Sequence, residues 1–124
     1  MADAGAAPSA VGYVNAHGTG TRDNDQCETQ VLANRFGAVP TASAKRTYGH
    51  TMGACAAIEA VACCLALADG RLWPSAGAAD TEVMGGVEVL KTARSAQIDL
   101  AISTTLAFGG VNACLAFGRA ERCV

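Results

Sequence analysis

Short apolar runs separated by mixed segments set the expected elements of this chain. Val11-Gly12-Tyr13-Val14-Asn15 is a brief apolar stretch with a β-branched bias and predicts a buried strand. Ala16 to Thr21 follows with Gly18, Thr19 and Gly20, a composition that forbids regular helix and favours a loop. Asp23, Asn24 or Asp25 can cap the next helix, and Glu28 falls in its first turns, where the dipole favours a carboxylate. That helix is expected to put Val31, Leu32 and Phe36 on one face and to end at Gly37. Val39 to Ala44 reads as a second strand. Residues 1–10 are helix-compatible to about Gly5 and turn-like at Pro8-Ser9.

Thr51 to about Ala68 is apolar on every side, with Glu59 its single charge. A helix of that kind must be buried all round. A membrane span has the same length. The side chains are mostly small, however, and a carboxylate at mid-span costs about 2.5–3.5 kcal/mol or more, so no membrane is expected. Asp69-Gly70 ends the helix, and Trp73-Pro74 to Gly86 is loop-like. Val87-Glu88-Val89-Leu90 fits a short edge strand. Ile98 to Leu106 and Val111 to Phe117 fit two main strands, paired antiparallel across the tight turn Phe108-Gly109-Gly110. Strand, helix, strand, helix, strand, strand predicts an α/β layered sheet.

Composition narrows the function classes. With 124 residues, 51% of them apolar, the chain is one domain with a core of its own. A net charge of -2 gives no electrostatic case for nucleic acid or an acidic membrane surface. Six cysteines stand at 27, 55, 63, 64, 114 and 123 without C-x-x-C spacing, which argues against zinc. They read as small buried hydrophobes of a reducing, cytoplasmic compartment.

The candidate chemistry rests on His17, Lys45 and His50. Each lies at or just beyond the C-terminal end of a predicted strand, where parallel neighbours converge. Two neutral imidazoles can each donate one N–H to a single carbonyl oxygen, making an oxyanion hole for an enolate or a tetrahedral intermediate. A nearby ammonium lowers an imidazole's pKa and keeps it neutral, and Glu59 could hold that ammonium. The ordinary alternative is two histidines and a lysine in loops with no shared role.

Three segments carry a resemblance: Val14-Asn15-Ala16-His17-Gly18-Thr19-Gly20-Thr21, Ser43-Ala44-Lys45 with Gly49-His50, and Phe108-Gly109-Gly110-Val111-Asn112. Together they resemble the C-terminal half of a β-ketoacyl-acyl carrier protein synthase, of the type II elongating and polyketide ketosynthase kind. Asp25, Glu28 and Glu59 follow in the family's order. The resemblance implies a thiolase-like half with about four main strands and a central buried helix. It implies that His17 and His50 bind the malonyl thioester carbonyl and assist decarboxylation. Lys45 would be the active-site lysine, with Glu59 as its carboxylate partner. Thr19 and Thr21 would contact the phosphopantetheine arm of acyl carrier protein, and Phe108 would gate the acyl pocket. No bound cofactor is implied beyond that arm.

Departures from the family are equally specific. Its nucleophilic cysteine sits in a Thr-Ala-Cys-Ser-type elbow in the N-terminal half, and no such motif occurs here. Cys55 and Cys63 are expected inside the apolar helix, away from an acidifying helix N-terminus, as packing residues. Ala107 stands where the family usually has Gly, and Thr104-Thr105-Leu106 where it often has Asn-Ser-Phe. Ala2-Asp3-Ala4-Gly5 resembles the end of a helix, so residues 1–124 are expected to form an incomplete C-terminal domain lacking its first strand and most of its first helix. Its expected partners are acyl carrier protein and a missing N-terminal half or dimer partner. The competing readings are a non-catalytic module that binds a carrier protein or a synthase, and an inactive remnant.

Overall fold

Strand β1 (Tyr13–Asn15) is the first apolar run of the chain and the centre of its sheet. The computed structural model describes residues 1–78 and 85–120. Parallel to β1 on one side runs β2 (Pro40–Ala42), then β4 (Glu88–Val89) at the edge. On the other side lies parallel β6 (Leu100–Leu106), followed by antiparallel β7 (Asn112–Gly118). Tyr13 pairs with Ala101 and Val14 with Thr41, and β6 and β7 form the expected hairpin, from Leu100–Gly118 to Leu106–Asn112. The sheet therefore has the four main strands expected, with the short strand expected near residues 87–90 at its edge.

Side-chain alternation along these strands builds two cores. Tyr13 and Ala101 face one way, onto Cys63, Ala66 and Leu67 of helix α3 (Cys55–Asp69). Val14 and Ile102 face the other way, onto Leu32 of helix α1 (Arg22–Phe36). The result is three layers, with the sheet between the two helices.

Several expectations are corrected. Residues 2–5, by contrast, keep the expected helix-end pattern: the Gly5 N–H meets the Ala2 carbonyl at 3.0 Å, the Ala6 N–H meets the Met1 carbonyl at 3.3 Å, and Gly5 takes φ 59°. Thr21, not an acidic residue, precedes α1, and no side chain caps it. Leu32 is buried, Phe36 half-buried, and Val31 points to solvent. A four-residue turn of helix, α2 (Lys45–Tyr48), opens directly after β2. A two-stranded antiparallel ribbon of β3 (Arg71–Leu72) and β5 (Arg94–Ser95) was not anticipated; β3 lies between the end of α3 and the loop expected from Trp73 to Gly86, and residues 79–84 of that loop lie outside the described residues.

Helix α3 departs most from the expectation of all-round burial. Cys55, Glu59, Cys63, Ala66 and Leu67 are buried, whereas Val61 is 58% exposed and Leu65 47%. The segment Met52–Asp69 is long and apolar enough to cross a membrane by length and composition. Its central carboxylate, Glu59, is nevertheless turned into the protein. The cysteines divide likewise: Cys55 and Cys63 are buried, but Cys27, Cys64 and Cys114 are exposed. Cys123 lies outside the described residues.

Candidate active site

The order of the strands places the site. β1, β2, β4 and β6 run in parallel, so their C-terminal ends share one edge. Chain direction across the sheet reverses at β1, the position where open α/β sheets leave a crevice. His17 follows β1 by two residues and Lys45 follows β2 by three, so both arrive at that crevice. His50 is delivered by the turn after α2, where Gly49 takes φ 78°.

Lys45 is the hub. Its ammonium forms a buried salt bridge with Glu59 and reaches Nδ1 of His17 at 3.2 Å. An ammonium can only donate, so Nδ1 of His17 accepts and the neutral ring carries its proton on Nε2. Burial holds the His17 pKa below the usual imidazole range, and the Lys45 charge pushes it the same way; Glu28 and Glu59 pull against them. His50 reaches the same tautomer by a different route. The backbone N–H of Met52 donates to its Nδ1 at 3.2 Å. The two rings lie 5.7 Å apart at 88°, edge to face.

The expected site residues fall in three places. His17, Lys45, His50 and Glu59 are brought together. Thr19 and Thr21 meet each other, hydroxyl to hydroxyl at 2.8 Å, and Thr19 lines a cleft of about 570 Å³ with Gly18, Ser43, Lys45 and His50. Phe108 is 95% exposed at the tip of the β6–β7 turn and does not line that cleft.

Other residues complete the site. The Glu28 carboxylate accepts the backbone N–H groups of His17 at 2.8 Å and Gly18 at 2.9 Å, and the Thr104 hydroxyl at 2.7 Å. Thr105, one residue along β6, projects to the opposite face and donates to Glu59 at 3.3 Å. One strand thus steadies both carboxylates. Fully buried Asn15 donates to the Glu59 carbonyl at 3.4 Å and accepts from the Ala44 N–H at 3.4 Å, tying β1 to α3 and to the start of α2. Gly18 has φ 43°, and a Cβ there would lie 2.6 Å from Cβ of Ser43, so the loop can close on β2 only with glycine.

Residues 1–79 match the family described as Beta-ketoacyl synthase, C-terminal domain. The chain belongs to the β-ketoacyl synthase family. Among curated relatives, Nodulation protein E of Rhizobium meliloti is 38% identical over 122 residues, which is 94% of this chain and 30% of that protein. The 3-oxoacyl-[acyl-carrier-protein] synthase 2 of Staphylococcus aureus (strain COL) is 35% identical over 126 residues, 98% of this chain and 30% of that protein. A solved β-ketoacyl synthase from Burkholderia phymatum STM815 superposes with a TM-score of 0.90 at 35% identity, covering 97% of this chain and 30% of that one. A ketosynthase from Xenorhabdus doucetiae, solved in complex with its chain length factor, superposes at 0.88 with 35% identity, over 96% of this chain and 31% of its own. The chain thus spans about 30% of the length of these synthases, and its fold is the thiolase-like one expected of the family.

Proposed function

We propose that this chain supplies the malonyl-binding and decarboxylating part of a β-ketoacyl synthase acting in fatty acid or polyketide synthesis. The observation that carries the reading is the pairing of two neutral imidazoles, each with Nδ1 engaged by a donor and Nε2 left as an N–H. Two such donors can hold one thioester carbonyl oxygen. When the malonyl carboxylate leaves as CO₂, the electron pair of the broken C–C bond moves into the enolate, and the two N–H groups bind the oxygen that gains charge. Lys45 keeps His17 in the donating tautomer and, with burial, keeps it neutral. Glu59 holds Lys45 in place.

The malonyl group would arrive on the phosphopantetheine arm of acyl carrier protein, passing Thr19 and Thr21 at the cleft. Condensation also needs an acyl group on a nucleophilic cysteine. None of the chain's described cysteines has the family's elbow motif, so that step draws on residues of a partner half. Without it, the enolate is protonated, and malonyl thioester becomes acetyl thioester plus CO₂.

Release of CO₂ from malonyl-carrier protein tests the reading. His17→Ala and His50→Ala are each expected to slow it about 100-fold or more, the scale of losing an oxyanion donor. Equal rates in wild type and both variants would leave a carrier-binding module or an inactive remnant as the better account.

A further inference from the structure

Cys55 does not sit where the sequence put it. It is the first residue of α3, and it is buried beside the candidate site rather than within the helix. Its Sγ lies 3.2 Å from Nδ1 of His50, and the Thr51 hydroxyl donates to that sulfur at 3.4 Å. The Met52 N–H already points at the same Nδ1, so the nitrogen presents a lone pair and the thiol must be the donor. A chain of donors results, from the Thr51 O–H to the Cys55 sulfur and from the Cys55 S–H to His50.

The backbone around this contact is constrained. Met52 has φ 52°, an uncommon value for a residue with a side chain. The turn Met52–Ala54 that follows brings Cys55 to the ring. His50 itself is exposed, so it lacks the buried ammonium that orients His17. Cys63, eight residues on, shows the contrast. Its sulfur donates to the Ile102 carbonyl at 3.5 Å, and burial pushes its thiol up to about 12.

We propose that Cys55 is a positioning residue for His50, its S–H holding the exposed imidazole in the orientation and tautomer that leave Nε2–H free to donate. This rests on the reading of His50 as a carbonyl donor, but the contact can be tested without any substrate. Nitrogen-15 spectra of the histidine-labelled protein report the tautomer of each ring, in solution or by magic-angle spinning if the chain associates. In wild type, His50 is expected as the Nε2–H form. Cys55→Ala should raise the Nδ1–H population of His50 by about three-fold, the scale of one weak donor, with His17 unchanged. Cys55→Ser, which restores a donor, should return the wild-type spectrum. Thr51→Val, at an exposed site, should give a smaller change in the same direction, and it decides the matter if Cys55→Ala fails to fold. An unchanged His50 tautomer in the variants overturns the proposal. So does failure of serine to restore it, or a His50 that is doubly protonated by Cys55 in wild type. A tautomer shift without CO₂ release would uphold the positioning role while removing the decarboxylase reading.

Discussion

Lys45 and Glu59 illustrate how much one buried pair governs. Both side chains are almost wholly enclosed, so each charge is tolerable only because the other is present. Lys45→Ala strands a buried carboxylate and is expected to cost about 3–5 kcal/mol of stability, read from urea unfolding. The double change Lys45→Met with Glu59→Leu should recover most of that loss while abolishing the proposed decarboxylation. His17 adds a pH dependence. Its folded pKa lies below the ordinary imidazole value of about 6.5, so the unfolded chain binds the extra proton first. Stability is therefore complete above about pH 7 and falls as acid is added, before carboxylates begin to titrate near pH 4 to 5. The melting temperature should drop over that interval, and His17→Asn should flatten the drop. These residues were legible because His17, Lys45, His50 and Glu59 stand in recognisable motifs. Thr104 and Thr105 were not. Their adjacency on a strand says that they face opposite ways, but not that a carboxylate waits on each side. Cys55 was misread because the apolar run begins before the regular helix does, which hid its place at the helix start.

At the level of elements, α3 is the unfinished one. Its inner face packs on the sheet, whereas Val61 and Leu65 lie on a face that nothing among the described residues covers. Each forgoes roughly 1 kcal/mol of burial, about half of what a fully enclosed side chain gains. The chain should therefore self-associate when produced alone. Val61→Glu together with Leu65→Glu should shift its sedimentation toward monomer without lowering helix content. If the wild type is already a monodisperse monomer, the exposed face carries no such drive. The apolar character of α3 was plain from sequence, but its one-sided cover was not, since composition records what a helix needs rather than what is present. The β3 and β5 pair escaped notice for a simpler reason. Two-residue strands have no period to detect, and their register depends on a contact between Leu72 and Arg94 far apart in sequence.

For the molecule as a whole, the α/β class and the location of the site followed from element order alone. Parallel strands put their C-terminal ends at one edge, whatever the details of the loops. The five strands of the main sheet followed too, with Glu88 and Val89 forming the short edge strand read at residues 87–90. The central place of β1 has a temporal consequence. Its partner β6 is encoded near the far end of the chain, with Tyr13 pairing to Ala101. At about 5–20 residues per second, the ribosome exposes β1 several seconds before β6 can reach it. Through that interval one edge of the innermost strand is open, and the hairpin of β6 and β7 can zip within microseconds once made. Closing the long β1–β6 connection is then the slow step, and the waiting edge is where a chaperone or a second nascent chain would first find this protein vulnerable.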